Sequence, residues 1–416
     1  MIKDQQRLLI MPNQKVQNNF LIWNNKFHLK RGHLVLNVGR TSNTLIEFEE
    51  ETSPETQLDL TNLNMNVYLN TEIDDKWNLI LGHQNMFQKN RNSKLASDQL
   101  MPDANINDIG IYSIINFNFD SWGAQAGLRI DNRSIEAFNI QPDNHTIERT
   151  YDAFNYSIGV SRAMNSSDFR ISVSNTFRAP HLSELLTEGV HHGTMRYEIG
   201  DPDLKIEKAT QLDVLYEFIS DHIGIVINPY INHINNYIYL NPEDSLVDDI
   251  PVYRYSQTGI ARLSGGDFGL HYHPHFAHNL HFESNISVIK GEDQFGQPIP
   301  LIPQNKVNTN IRIEFDRDKM ISLDNIVLEH IYSTLQDRVV KNETQSKAYN
   351  LINMGVNLKL KGKVDGSIGF GVKNLLNESY MDHLSRLKAY DINNAGINYY
   401  VQLAIKLSKP LKNKPE

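Results

Sequence analysis

Histidine is the residue type in this chain best suited to bind a metal ion, and five histidines fall close together in the sequence. They are His271, His273, His275, His278 and His281. Residues two apart in a strand share a face, so His271 and His273 could supply two ligands to one ion. The next carboxylate in the sequence that could complete a metal site is Glu283. Pro274 to Ala277 are predicted to form a short turn. We therefore expect these histidines to be structural polar residues.

A second group, His191 and His192, lies in the longest loop predicted from the sequence. Imidazole binds iron and zinc alike, so either ring could be a metal ligand. Adjacent residues of an extended segment point in opposite directions, so at most one of the two would serve a given ligand. The alternative is that both are solvent-exposed loop residues, and the residues alone leave the two interpretations open.

The motifs of common catalytic sites are missing from the sequence. The chain has no cysteine, which excludes disulfides, zinc–thiolate sites, iron–sulfur clusters and cysteine nucleophiles. We find no His-Glu-x-x-His motif, phosphate-binding glycine loop or Gly-x-Ser-x-Gly elbow. The net charge of −9 argues against nucleic acid binding, which requires a basic surface. We therefore expect a protein that is not an enzyme, needs no cofactor and binds no nucleic acid.

The segments that must position these side chains are strands in which apolar and polar residues alternate. In residues 399–407 the apolar set consists of Tyr399, Val401, Leu403, Ile405 and Leu407. No apolar run approaches the roughly 18 residues that a membrane helix needs. One oily face per strand suits either a soluble sandwich, where that face points inward, or a membrane barrel, where it points to lipid.

The lengths of the connections separate these two architectures. Candidate strands are joined alternately by short turns, such as Lys30-Arg31 and Asp74-Asp75, and by long loops. The expected long loops are 49–56, 90–107, 137–147, 179–206, 241–251, 291–303, 336–346 and 375–396. Short turns at one rim and long loops at the other are typical of an outer-membrane protein. The predicted fold is therefore all-β: a transmembrane antiparallel β-barrel with long outer loops and short inner turns.

The predicted barrel portion is 1–407, and 408–416 is a polar tail. The strand segments, about 17 in number, are 16–29, 32–48, 57–72, 76–89, 108–118, 121–136, 148–163, 168–178, 207–219, 223–240, 252–273, 278–290, 304–315, 319–335, 347–360, 363–374 and 397–407. Bacterial single-chain barrels have even strand numbers, so an odd number predicts a partial barrel. The polar start, without the features of a signal peptide, favours the same interpretation.

Several motifs resemble those of TonB-dependent outer-membrane receptors, and the resemblance extends over essentially the whole chain. Phe177-Arg178-Ala179-Pro180, continuing to Leu185, is similar to one box of this family. Asp201-Pro202-Asp203-Leu204 is similar to the box that follows, where the family usually has Asn in place of Asp201. Further similarities are Gly189 to Gly193, Tyr197 to Gly200, Pro300 to Lys306, Val372 to Asn377 with Tyr380, and Gly396 to Tyr400.

The resemblance implies a barrel of about 22 strands around a plug, of which this chain would supply about 17. The plug and the motif that contacts TonB have no counterpart in the sequence. The implied location is the outer membrane of a Gram-negative bacterium, with membrane lipid and the TonB energy-coupling complex, reached through the missing plug, as partners. The end of the chain departs from the family, which normally closes on an aromatic residue, because Leu407 is followed by a basic tail.

The resemblance also suggests candidate sites. In family members that take up haem, a histidine between the two boxes can ligate the iron, which makes His191 and His192 candidate metal ligands. Tyr197 and Glu198 of the same outer loop are candidate ligand-binding residues. The two boxes are expected at the lumen with a mainly structural role. Arg178 would point into the lumen, where it could pair with plug carboxylates or with an anionic ligand.

The function that follows is energy-coupled uptake of an iron chelate, either a siderophore or haem, or of another scarce nutrient. Two alternatives remain at this stage: a soluble, secreted all-β binding or structural protein, and a non-functional gene fragment. A partial barrel would expose strand edges and tend to aggregate. The chain alone is expected neither to gate nor to couple to TonB.

Overall fold

The computed structural model describes residues 13–48, 53–140, 143–191, 196–315, 319–341, 343–362 and 365–406. The strands are β1 Asn13–Leu29, β2 Gly32–Phe48, β3 Thr56–Glu72, β4 Trp77–Asn92, β5 Asp103–Phe119, β6 Trp122–Ile140, β7 His145–Met164, β8 Ser167–Arg178, β9 Glu188–His191, β10 Arg196–Ile199, β11 Glu207–Ile219, β12 Ile223–Val247, β13 Ile250–Tyr272, β14 Leu280–Asp293, β15 Lys306–Glu314, β16 Ile321–Ser333, β17 Tyr349–Leu360, β18 Asp365–Lys373 and β19 Asn398–Lys406. One α-helix, α1 Leu182–Leu186, and one 3-10 helix, Arg386–Tyr390, complete this part of the chain. Neither helix is long and apolar enough to cross a membrane. The predicted polar tail 408–416 lies outside the described residues.

The predicted all-β fold is confirmed. Every predicted strand segment corresponds to one observed strand, with ends that differ by at most five residues except at the end of β12, which lies seven residues beyond the predicted one. The two further strands, β9 and β10, are four residues each and lie within the predicted loop 179–206. The described part of that loop therefore contains a short helix and a pair of short strands.

Neighbouring strands pair antiparallel in chain order. The pairing runs continuously from β1 to β6 and from β14 to β19. The short strands β9 and β10 pair antiparallel with each other. β10 also runs parallel to β13, with Tyr197 to Ile199 beside Val252 to Arg254. The outer-loop hairpin is thereby tied to a long strand of the sheet.

Contacts divide the chain into two compact units. The first consists of Met1–Ser161, Ser172–Leu212 and Asn232–Ala261, and the second of Arg162–Ile171, Asp213–Ile231 and Arg262–Glu416. The buried core of the first unit joins β5 and β6 to the helix α1. Its members are Ala104, Ile106, Ile135, Ala137, Tyr151, Ala179, Leu182, Leu185, Leu204 and Ile238. This core lies where the strands approach their long loops, so it positions the two sequence boxes.

The apolar face of the strands is the exposed one. On β7, Phe154 and Ile158 are 58% and 57% exposed, whereas Ala153 and Asn155 are buried. On β6, Ile130 is 65% exposed and its neighbour Asp131 only 7%. A soluble sandwich would bury the apolar set. Apolar residues outward and polar residues inward is the pattern of a barrel wall that contacts lipid.

One of the expected long loops is a two-residue turn, and in a second the flanking strands extend into the predicted range. At 241–251, β12 continues to Val247 and β13 begins at Ile250, because Asp248 and Asp249 both adopt left-handed backbone angles, with φ of 48° and 63°. Asp tolerates this conformation, which is the geometry of a two-residue hairpin turn. At 137–147, Ile135 and Ala137 pack into the core, and β6 therefore continues to Ile140.

Candidate functional site

The first sequence box ends β8 and begins α1. Ala179 is buried, and Leu182 and Leu185 anchor the helix in the core at 2% exposure. At the N-cap, the backbone N–H of His181 donates to Glu184, and the His181 ring accepts from the backbone N–H of Ser183. Burial lowers the pKa of His181 despite the opposing charge of Glu184, with Arg133 and Arg178 adding to the effect. The ring is therefore neutral near pH 7 and can accept that bond.

Arg178 connects the end of β8 to two other elements. Its Nη1 donates to both carboxylate oxygens of Glu184 at 2.8 Å, and its Nε donates to Glu207 at the start of β11. The other oxygen of Glu207 accepts the backbone N–H of Ile238 on β12. Such charge-assisted bonds are short and directional, so they fix the helix and both strands at one point. This geometry supports the structural role expected of Arg178.

The second box packs against the same core. Leu204 is 3% exposed, and its carbonyl accepts the Tyr151 hydroxyl at 3.3 Å. The carbonyl of Pro202 accepts Arg149 Nε at 2.9 Å, while the side chain of Asp203 is 89% exposed. Asp201 accepts the backbone N–H of Asp203, which closes a turn. The carboxylate of Asp201 therefore shapes the loop, and that of Asp203 faces solvent.

Gly200 allows the two boxes to meet. Its backbone N–H donates to the carbonyl of Thr187, at the end of α1. A Cβ on Gly200 would lie 2.6 Å from the backbone of Leu185 and Leu186. Any other residue would push the loop away from α1, so the close approach requires glycine.

A polar cavity of about 360 Å³ lies beside the first box, on the face of the sheet opposite the exposed apolar residues. Its lining residues are Asn64, Gln84, Met86, Asp108, Gly110, Arg129, Asp131, Asn132, Arg133, Phe177, Arg178 and Ala179. Arg129 pairs with Asp131, and Arg133 binds Asp108 through two parallel contacts, all at 2.5 Å. The arginines thus have carboxylate partners within the chain. The cavity suits a polar solute that makes hydrogen bonds.

The candidate ligand-binding residues of the outer loop lie on two different faces of the β9–β10 hairpin. His191 ends β9 opposite Arg196, and Glu198 lies opposite Gly189, so His191 and Glu198 share a face of the β9–β10 hairpin. Tyr197, opposite Val190, points to the other face. Glu198 is 8% exposed and accepts a long hydrogen bond of 3.5 Å from the hydroxyl of Tyr255. His192 lies outside the described residues, so the prediction for it stays a prediction.

The second unit contains a buried polar cluster that sequence reasoning missed. His383 is 1% exposed, its Nε2 lies 3.1 Å from Glu343, and its Nδ1 lies 3.1 Å from Lys388 Nζ. An ammonium group can only donate, so Nδ1 accepts and Nε2 carries the proton that is donated to Glu343. Glu343 also accepts the backbone N–H groups of Leu301 and Val340. The cluster joins three long loops.

Two other segments that resemble the receptor family, those containing Gln304 and Asn374, make hydrogen bonds that hold these loops in place. Gln304 is buried; its amide donates to the carbonyls of Thr334 and Lys347, and its oxygen accepts the backbone N–H of His383. Asn374 adopts a left-handed backbone with φ of 50° and exchanges two 2.8 Å hydrogen bonds with the backbone of Glu378. Gln304 and Asn374 are thus structural residues. The sequence feature that could have predicted these roles is the side-chain amide, since asparagine favours such turns.

Comparison with known proteins gives a consistent result. Residues 11–375 match the protein family described as TonB dependent receptor-like, beta-barrel. Among solved structures, the chain is similar to the copper transporter OprC, with a TM-score of 0.77, 15% identity, and coverage of 94% of this chain and 65% of that chain. It is also similar to the FrpB iron transporter from Neisseria meningitidis in its F5-1 variant, with a TM-score of 0.71, 15% identity and coverage of 95% and 64%.

A third similar structure is the ferric citrate transporter FecA in its unliganded form, with a TM-score of 0.73, 12% identity, and coverage of 94% of this chain and 62% of that chain. At such identities the structural likeness shows the fold alone. The chain spans less than two thirds of the length of each of these three proteins.

Proposed function

Because this chain belongs to the TonB-dependent receptor family through its outer-membrane β-barrel, we propose that it forms the barrel wall of a receptor for energy-coupled uptake of a scarce nutrient. The observation that carries the proposal is the distribution of side chains across the strands. Apolar residues such as Ile130 and Phe154 are exposed, and the opposite face holds the charged cavity beside Arg178. A wall of this kind separates lipid from a polar passage.

The nutrient we propose is an iron chelate, such as a ferric siderophore, or another metal-containing nutrient. The names of the similar proteins support this class, since they are a copper transporter, an iron transporter and a ferric citrate transporter. The polar cavity supports it too, because chelates of this kind present many hydrogen-bonding oxygen atoms. Coupling to TonB through a plug belongs to the same proposal and rests on the family alone.

Haem is a more specific candidate for the transported iron compound, and His191 is the residue that favours it. His191 presents a half-buried imidazole in the outer-loop hairpin, on the same face as the buried Glu198, and the resemblance to family members that take up haem carries the assignment. Imidazole is a suitable axial ligand for haem iron. His192 completes the pair in the sequence.

Deletion of the gene tests the proposal in the bacterium that carries it. We expect the deletion strain to lose growth on one iron source among ferric citrate, a ferric siderophore and haem, supplied singly in iron-poor medium. Restoring the complete gene should restore both growth and uptake of the radiolabelled compound, and an uncoupler of the proton gradient should abolish that uptake. Equal growth and uptake of every iron source and of copper or zinc by the two strains would contradict the proposal.

The haem assignment is tested separately in the restored strain. We expect His191→Ala with His192→Ala to lower haem-dependent growth while growth on other iron sources is unchanged. The matched control is His145→Ala, because His145 is an exposed histidine at the start of β7, near another outer loop. Haem-dependent growth that the double substitution leaves unchanged would remove haem from the candidates.

A further inference from the structure

Six histidines gather at the ends of two hairpins in the second unit. His222 lies in the turn between β11 and β12. The others, at the end of β13, in the following turn and at the start of β14, are His271, His273, His275, His278 and His281. The backbone N–H of His273 donates to the carbonyl of His222 at 3.0 Å, so the two turns are joined directly. The sequence showed five of these residues together, but His222 is distant in the chain.

The ring nitrogens are spaced as metal ligands are. Two groups of three rings each bring their nitrogens within 4.8 Å of one another: His222, His273 and His278 form one group, and His271, His273 and His281 the other. His271 Nε2 and His281 Nδ1 are 3.2 Å apart. Two nitrogens on one tetrahedral zinc ion, each at about 2.0–2.1 Å, lie about 3.3 Å apart. Only small side-chain movements would therefore close either group on an ion.

Two further observations point to a ligand. The Nδ1 atoms of His222 and His273 are buried and have no hydrogen-bond partner in the part of the chain that the structure describes. Buried polar atoms normally find partners, and a cation would supply one. Behind the second group, His281 Nε2 lies 3.6 Å from a carboxylate oxygen of Glu314. A carboxylate behind a histidine is the usual outer support of a metal ligand, since it orients the ring.

We propose that these histidines bind one divalent first-row transition metal ion, zinc, nickel or copper, with His273 a ligand in both groups. Imidazole ligands favour these ions. Calcium and magnesium require several oxygen ligands, which neither group contains. We assign the same ring nitrogen of His273, the unpartnered Nδ1, to both groups, so only one ion is held at a time. Short turns of outer-membrane barrels face the periplasm, so the ion is drawn from that side of the membrane, away from the outer loops.

The test is calorimetric titration of the purified full-length chain in detergent with zinc, nickel and copper chlorides at neutral pH. We expect saturable binding of one equivalent. His273→Gln should weaken it by more than the roughly 10–100-fold that loss of an outer support costs, because a ligand common to both groups is removed. His278→Gln and His281→Gln each leave one group intact and should have small effects. The double variant should lose as much affinity as His273→Gln.

The control is the pair His28→Gln and His33→Gln. These two histidines face each other across the first hairpin, also beside a short turn, and neither belongs to the two groups of three. We expect this variant to bind the metal ions as tightly as the unchanged chain does. Copper bound to the unchanged chain should show nitrogen hyperfine splitting in its electron paramagnetic resonance spectrum. Circular dichroism verifies that each variant is folded.

Three results would each overturn the proposal. They are an unchanged chain without saturable binding, a folded His273→Gln variant with the original affinity, and equal loss of affinity in the control. Should His273→Gln fail to fold, the two single variants and their double combination decide, since additive small effects would contradict a shared site.

Discussion

Glu343 gives the loops of the second unit a pH-dependent contact. Burial raises the pKa of its carboxyl, but hydrogen bonds from His383, Leu301 and Val340 outweigh burial and hold the pKa below its usual value of 4.5. A group whose pKa is depressed in the folded state stabilises that state above its ordinary pKa, and this contribution is lost as the pH falls through the folded value. We therefore expect the loops to stay closed above pH 4.5, the ordinary pKa of a glutamate, and to open as the pH falls below it.

Amide hydrogen exchange at Leu301 and Val340, corrected for intrinsic rates, measures this opening. Glu343→Gln should raise exchange at neutral pH and remove its acid dependence, because the amide cannot be protonated in this range. Glu378→Gln is the matched control, since Glu378 is an exposed carboxylate in a neighbouring loop. An acid-dependent increase that persists unchanged in Glu343→Gln would assign the opening to other groups.

Two single residues, Arg178 and His383, show which contacts could not be predicted from the sequence. The placement of Arg178 on the polar face followed from alternation along β8, and its structural role was expected from the motif. Its partners Glu184 and Glu207 were not predictable, because they come from two other elements and only the packing of α1 brings them together. His383 gave even less signal. A lone loop histidine becomes a buried donor only when three loops meet around it.

Each long strand acts as a boundary between lipid and a polar interior. A substitution in β6 tests this role. Leu128 is 56% exposed on the apolar face, six residues from the strand's beginning at a short turn, which places it near the middle of the bilayer. We expect Leu128→Arg to lower the free energy of unfolding by about 2–4 kcal/mol, the cost of a cation at the midplane of a barrel. Urea titration in lipid vesicles, followed by circular dichroism, measures the change.

Gln125→Arg is the control for that substitution. Gln125 lies three residues away on the opposite face and donates to Asn116 at 2.7 Å. Its replacement forfeits that one exposed hydrogen bond, worth about 1 kcal/mol or less, and places the new charge in the polar interior. Equal effects of the two substitutions would mean that the apolar face does not contact lipid.

The strands themselves were predictable because period-two alternation is a local signal that survives in any β-barrel. Their ends were less so. The predicted loop 241–251 is wrong because two aspartates in left-handed conformation close a hairpin, and two adjacent aspartates predict that only weakly. Strands β9 and β10 were missed because four-residue strands give almost no periodic pattern. They are ordered by pairing with each other and with β13.

For the chain as a whole, the sequence predicted which faces are apolar but could not decide whether those faces pack inward. Loop lengths favoured a membrane barrel, and the exposure of the apolar residues supports the same conclusion. The two terminal strands add to it. Nearly all of β1 and all of β19 are exposed, including Phe20 at 75% and Val401 at 70%. Surfaces of this kind are stable only in lipid or against another strand.

The three tryptophans allow the orientation of the whole chain in a bilayer to be measured. Trp77 and Trp122 begin β4 and β6 directly after short turns, whereas Trp23 lies six residues before the end of β1. All three are exposed, at 38%, 47% and 55%. Six residues of a strand tilted by about 40° rise roughly 15 Å, about half of the hydrocarbon thickness. Trp77 and Trp122 should therefore lie at the interface, as in an aromatic girdle, and Trp23 near the bilayer centre.

Single-tryptophan variants in vesicles of brominated lipids test this arrangement. Chains that keep only Trp77 or only Trp122 should be quenched most by lipids brominated near the headgroup. A chain that keeps only Trp23, made by Trp77→Phe with Trp122→Phe, should be quenched most by lipids brominated near the chain ends. Equal quenching of all three at the headgroup would mean that the chain lies on the membrane surface. Quenching by aqueous iodide but not by either lipid would mean that the three tryptophans face water, which would contradict a wall that spans the bilayer.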